Sequence, residues 1–287
     1  MPRIDLHQHL WPEAFVAELS RRRQPPFLKD GRLILHEGRF ALRPGIGDPV
    51  ACVEALDRDR IEVAVVSLQP TLGTGGLPTD ERNELESAWI EGTQELVGAS
   101  GGRLLAFAPD RALPGFVGAS VQARAFDDFD SVAPVLDELE RRSQPLFVHP
   151  GSAPPSGQAP EWWASVVDYT AQMQRAYFRW LVAGRRRWPT LRVIFALLAG
   201  GAPFQLERLG QRGRDVRSTL DDNVYLDVAT YGRRSIELCV ETFGVKHLVY
   251  GSDRPLVDPA QTLRSIRGFG ESVEKLVCAD NPATLWT

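Results

Sequence analysis

The stretch IDLHQHLW (residues 4–11) ends an apolar run with two histidines one residue apart. On a strand, alternate side chains share a face, so His7 and His9 point together while Leu6 and Gln8 point the other way. This run is the first of eight, the others lying at 61–69 (IEVAVVSLQ), 103–109, 116–123, 145–149, 191–198, 224–230 and 247–253, with the first spanning 2–9. Longer amphipathic stretches separate them, at 12–23, 49–60, 80–98, 130–143, 161–187, 203–213, 233–243 and 259–268, with a short terminal helix after Asp280. Eight short strands alternating with helices predict an α/β protein, the (β/α)8 TIM barrel, whose chemistry is built at the C-terminal ends of the strands.

Two features depart from a regular barrel. Only DRALPG (110–115) separates the third and fourth strands, too little for a crossover helix, so either that helix is missing or one strand is misassigned. Residues 24–47 alternate apolar positions around HEG, which predicts a β-hairpin excursion after the first helix, placed where it could cover the barrel mouth. SAPPSGQAP (152–160) reads as a loop inside the domain rather than a linker, so residues 1–287 form a single domain.

Composition narrows the partners. With 33 basic and 37 acidic residues the net charge is −4, which argues against nucleic acid or an anionic membrane. The arginine triplets at 21–23 and 185–187 sit near helix ends and read as solvated faces. Cys52, Cys239 and Cys278 lack any CxxC pairing and read as reduced residues. The histidine pair stands where a signal peptide would carry its apolar region, and no run is long enough to span a bilayer. A cytoplasmic protein acting on a small molecule is expected, and a homodimer stays open.

Polar groups far apart in sequence fall at the strand ends the barrel brings together. His7 and His9 end the first strand, His149 the fifth (FVHPG) and Asp253 the eighth (YGSDRP). A lone histidine at a strand end is more often a satisfied hydrogen-bonding residue than a ligand. Three imidazoles and a carboxylate around one point, however, suit a divalent ion such as zinc, with manganese or iron as alternatives. Asp5 is expected to face the same interior one layer deeper and to support the ligands. His247 starts the eighth strand and reads as structural; His36 in the excursion reads as surface.

These residues carry a family resemblance. IDLHQHLWPE, LFVHPG, AGGAPFQLERL (199–209), YGSDRP and the closing DNPATLWT (280–287) resemble the amidohydrolase superfamily, in the branch of the aminocarboxymuconate-semialdehyde decarboxylase-like enzymes. The resemblance covers nearly the whole chain. It implies that His7, His9, His149 and Asp253 bind one metal ion. It also exposes a departure: the family's sixth strand ends in a pattern like A-H-x-G-G, its histidine helping to activate water or polarise substrate, whereas this chain reads FALLAGGAPF. Leu197, or failing it Leu198, stands in that place, and leucine neither accepts nor donates a proton.

A bound metal would still lower the pKa of water and polarise a carbonyl, with Asp253 as ligand and general base. Arg254, Tyr231, Arg233 and Arg234 offer a cationic rim for a carboxylate, and Trp11, Trp162 and Trp163 offer walls for an aromatic or apolar substrate. The leading expectation is a mononuclear metal-dependent hydrolase of an amide, lactone or related bond. The alternatives are a non-oxidative decarboxylase of a small carboxylic acid and a catalytically weakened relative that only binds metal or ligand.

Overall fold

The computed structural model describes residues 2–42, 45–155, 157–216 and 220–287. In chain order, β1 (Ile4–Gln8) and α1 (Glu13–Arg21) lead into three short strands, β2 (Phe27–Lys29), β3 (Arg32–Leu35) and β4 (Gly38–Ala41), and then α2 (Pro49–Asp59). There follow β5 (Val63–Ser67), α3 (Thr79–Ala99), β6 (Leu104–Pro109), β7 (Gly118–Gln122), α4 (Phe129–Arg141) and β8 (Leu146–His149). The second half runs α5 (Tyr169–Arg179), α6 (Arg185–Arg187), β9 (Val193–Phe195), α7 (Leu198–Gln211), β10 (Val224–Asp227), α8 (Arg233–Phe243), β11 (Leu248–Val249), α9 (Ala260–Arg267), α10 (Glu271–Lys275) and α11 (Asn281–Ala283).

The eight expected strands pair in parallel in the order β1-β5-β6-β7-β8-β9-β10-β11. The sheet closes into a barrel through the segment after β11: Leu6 N donates to Tyr250 O at 3.0 Å, Asp253 N to His7 O at 2.8 Å and His9 N to Arg254 O at 2.8 Å. Strands such as VAVVS and LFVH are almost wholly buried, because helices cover one face and the barrel interior the other. That double burial explains why they read as continuous apolar runs.

The crossover helix between β6 and β7 is absent, and both strands are real. Gly118 pairs with Phe107, so β7 begins near the top of β6 and the chain retreats by only about 7 Å, two residues of rise. The connection 110–117 is long enough for that.

The excursion holds three strands rather than one hairpin: β2 pairs antiparallel with β3 and β3 with β4, and none pairs with the barrel. Residues 43 and 44 of the expected 24–47 insertion, and residue 156 of the loop 152–160, lie outside the described residues. The sixth barrel strand is shorter than expected. It stops at Phe195, and Leu197, Leu198, Ala199, Gly200 and Gly201 all take positive φ, from 49° to 81°, before α7 continues as a right-handed helix. The helix expected at 161–187 is present, interrupted by π-helical turns at Ala164–Asp168 and Trp180–Gly184.

Candidate metal centre

The triad forms at the top of the barrel from β1 and β8. The ring nitrogens of His7, His9 and His149 converge, one ligand atom from each lying within 4.8 Å of the others. Each ring is fixed from behind. His7 Nδ1 donates to Asp227 Oδ2 at 2.6 Å, His9 Nδ1 to Ser67 O at 3.0 Å and His149 Nδ1 to Pro150 O at 2.9 Å. Carbonyl and carboxylate oxygens only accept, so Nδ1 carries the proton in each ring and Nε2 presents a lone pair to the centre. The Nε2 atoms of His7 and His9 stand 3.1 Å apart. Two lone pairs at that distance repel unless a cation or a proton lies between them, so the donor set fits a divalent ion.

Asp253 completes the ring of donors. Its Oδ1 lies 3.3 Å from His9 Nε2 and 3.5 Å from His7 Nε2. Its φ of 58° is a conformation that L residues adopt at a cost, and its backbone N–H is held by His7 O. Phe147 forms the floor, 5.0 Å from the His7 ring and 5.8 Å from that of His149, and stacks in turn on Phe107.

The electrostatics follow from burial and three carboxylates. Burial alone would lower His7, but Asp227 and then Asp253 raise it to about 9, so the metal-free ring binds a proton where a cation would sit. Burial holds His9 down and, together with the charge on His7, holds His149 well down. Burial opposes the charge of Asp253, yet His7 and His9 keep it below the usual carboxylate range.

Asp227 is the residue that sequence reasoning missed. It ends β10 with no exposure, and its second oxygen accepts Ala229 N at 2.9 Å. The signal was an acidic residue inside the apolar run VYLDV, which a buried strand tolerates only when the charge is paired. Gly251, between β11 and Asp253, makes room for it: a Cβ there would stand 2.1 Å from Asp227 Oδ1 and 2.6 Å from His7 Cβ.

The role expected of Asp5 is corrected. A bulge between Asp5 and Gln8 breaks the alternation of β1, so Asp5 bonds the Gln8 side chain at 2.7 Å instead of reaching a ring. It accepts the backbone N–H of His7 at 3.1 Å and of Ser252 at 3.0 Å, tying the two donor-bearing segments together through their main chains.

The expected rim is not assembled. Arg254 turns outward and pairs with Asp59 of α2 at 2.7 Å, while Arg233 packs on Phe269 and donates to Gly268 O. Arg234 is exposed. Trp11 is buried against Phe15 and donates to Gln69 at 2.6 Å, a packing role rather than a pocket wall. The Trp162 and Trp163 rings lie side by side, tilted, with centroids 6.0 Å apart, and both are exposed. Tyr231 is half-buried, within electrostatic range of Cys239 and Asp227. Leu197 is half-buried just past the end of β9, while Leu198 is fully buried. His247 is buried on Val224 O at 2.8 Å and His36 is exposed, as read from the sequence. The three cysteines are free. No helix among the described residues is long and apolar enough to cross a membrane.

Comparison with known proteins agrees with the barrel fold. The 2-amino-3-carboxymuconate-6-semialdehyde decarboxylase of Dictyostelium discoideum is 23% identical over 271 residues, covering 82% of this chain and 75% of its own. The crystal structure of Metarhizium anisopliae IDCase in apo form superposes with a TM-score of 0.82 at 18% identity, over 99% of this chain and 97% of its own. A dihydroxybenzoic acid decarboxylase from Polaromonas sp. JS666, with bound manganese and the inhibitor 2-nitroresorcinol, gives a TM-score of 0.71 at 17% identity over 99% and 96%. The profile of the amidohydrolase family matches residues 4–287, and the chain belongs to that family.

Proposed function

We propose that the protein is a metal-dependent, non-oxidative decarboxylase of a small carboxylic acid. The observation that carries this is the Dictyostelium relative, matched over 82% of this chain and named for a decarboxylation rather than a hydrolysis. That reverses the order of the two enzymatic readings drawn from the sequence. His7, His9 and His149 through Nε2, with Asp253, are the residues that would hold the ion. When bound, a divalent ion supplies an electrophile that polarises a substrate oxygen. Manganese, present in the Polaromonas structure, and zinc are the ions to load first.

The proton bookkeeping fits the same reading. Loss of carbon dioxide breaks one C–C bond and leaves its electron pair on carbon, which takes up one proton. Asp253, ionised and with a side chain 14% exposed, is the carboxylate placed to relay that proton, first taking it from solvent or from an acidic group of the substrate and then passing it to carbon. Hydrolysis sets two proton tasks, deprotonating water and protonating the leaving group; Leu197, in the place where the resemblance puts a histidine that activates water or polarises substrate, removes a helper from either reaction and does not choose between them.

The test is product analysis on protein loaded with Mn²⁺ or Zn²⁺ and offered a panel of small aromatic and unsaturated carboxylic acids. Carbon dioxide should appear in step with loss of the acid, and Asp253→Asn should slow it by about 10²-fold or more. Uptake of water without carbon dioxide would restore the hydrolytic reading. Binding without turnover would select the weakened relative.

A further inference from the structure

The excursion bridges the barrel mouth. It leaves the barrel beside β1, with β2 packed on α1, and its β3–β4 turn reaches residues that follow β8. β8 is fifth in the closed order of eight strands, the position opposite β1. The contact is made by Glu37, which is 5% exposed although it sits in a tight turn next to the exposed His36. Its Oε2 accepts Ala153 N at 2.6 Å, and its Oε1 accepts the hydroxyl of Tyr169.

Tyr169 is the first residue of α5, on the mouth side of the barrel. Its hydroxyl lies near Thr71, from the turn after β5, and within electrostatic range of Asp253. Burial, and then the carboxylate of Glu37, keep it a neutral phenol. The rest of the excursion rests on partly buried side chains, Leu28, Leu33, Phe40 and Leu42 packing against the core. Its strands pair only with each other, and along residues 27–42 only Leu35 and Glu37 are buried. A carboxylate is costly to bury, and this one is buried at the point where the bridge meets the far side of the mouth.

We propose that Glu37 is a positioning residue of the metal centre: carried across the mouth by the excursion, it pins the Tyr169 hydroxyl there. The excursion is then the cover of the site, and Tyr169 is the polar group that orients a bound carboxylic acid where the sixth strand offers only Leu197. The proposal rests on the reading of His7, His9, His149 and Asp253 as a metal site.

The test uses the full chain loaded with Zn²⁺ and transferred into the chromogenic chelator 4-(2-pyridylazo)resorcinol, whose access requires the cover to open. Glu37→Ala should release zinc about tenfold faster or more, with unchanged zinc stoichiometry and far-UV spectrum, because two hydrogen bonds to a charged group are lost. Glu37→Gln, which keeps an acceptor for Tyr169, should fall between that variant and the parent. Tyr169→Phe keeps the Ala153 contact. It should change release less than Glu37→Ala does and raise KM for the decarboxylated acid more than it lowers kcat. Equal release from the parent, Glu37→Gln and Glu37→Ala overturns the proposal and leaves the metal reading standing; a parent that binds no zinc overturns both.

Discussion

At the scale of single residues, His7 depends on Asp227. The carboxylate fixes the tautomer of the ring, orients it and raises its basicity, and the three effects act together because the pair is dry. Asp227→Asn keeps the shape but removes the charge. Affinity for Mn²⁺ should fall by about 10- to 100-fold, measured by competition with a chelator, while the far-UV spectrum stays unchanged. Undiminished affinity would mean that the ring is held by packing on Phe147 alone. The pair was half legible in the sequence. The histidines announced themselves through spacing, but their carboxylate lies 220 residues away, on a strand read only for its apolar run. Asp5, two residues from His7, was the obvious choice. A bulge turned it away, and a one-residue slip in a strand reverses every facing that alternation predicts.

At the scale of elements, the informative piece is the turn after β9. Five consecutive residues of positive φ, three of them not glycine, form a left-handed turn closed by Ala199 N to Ala196 O and Gly200 N to Leu197 O. Such a conformation costs roughly 1–2 kcal/mol for each residue with a Cβ, so tertiary contact must hold it. Gly200 meets that contact, since a Cβ there would stand 2.0 Å from Thr170 O. The sequence showed the replaced histidine but neither the early end of the strand nor this turn, because no local pattern encodes a run of non-glycine residues at positive φ. Alternation along a strand therefore does not decide where Leu197 faces, and Leu197 is half-buried beside the fully buried Leu198. Histidine tolerates positive φ better than leucine, so Leu197→His should fold with a melting temperature at or slightly above the parent. If the residue borders the metal, the variant should also shift the pH profile of turnover by adding a group that titrates near neutrality. An unchanged profile and unchanged metal affinity would place residue 197 outside the site. The eight strands, by contrast, were legible with their order, because double burial marks each one in its own residues. The Arg254–Asp59 pair was not, since nothing local to YGSDRP says that its arginine turns outward to α2.

At the scale of the whole molecule, the fold and the metal are separable. The core runs through all eight barrel strands and their helices, so removing an ion from the mouth leaves most burial in place. What the ion changes is the pH dependence of stability. In metal-free protein His7 binds its proton more tightly than in the unfolded chain, where the value is the ordinary 6.5. That preference stabilises the fold fully below about pH 6.5 and is lost as the pH rises through about 9, a change of about 3 kcal/mol. An ion on Nε2 replaces that proton, so metal affinity should rise over the same range. Metal-free protein should accordingly unfold cooperatively at pH 6.5 and melt several degrees lower at pH 9, while the metal-loaded form holds its melting temperature or gains. Scanning calorimetry of chelator-treated and Mn²⁺-loaded samples at pH 6.5, 7.5 and 9 measures the gap between them. A gap that widens with pH places proton and metal on the same imidazole. A constant or narrowing gap would remove His7 from the ligand set, and with it the reason for burying Asp227 beneath it.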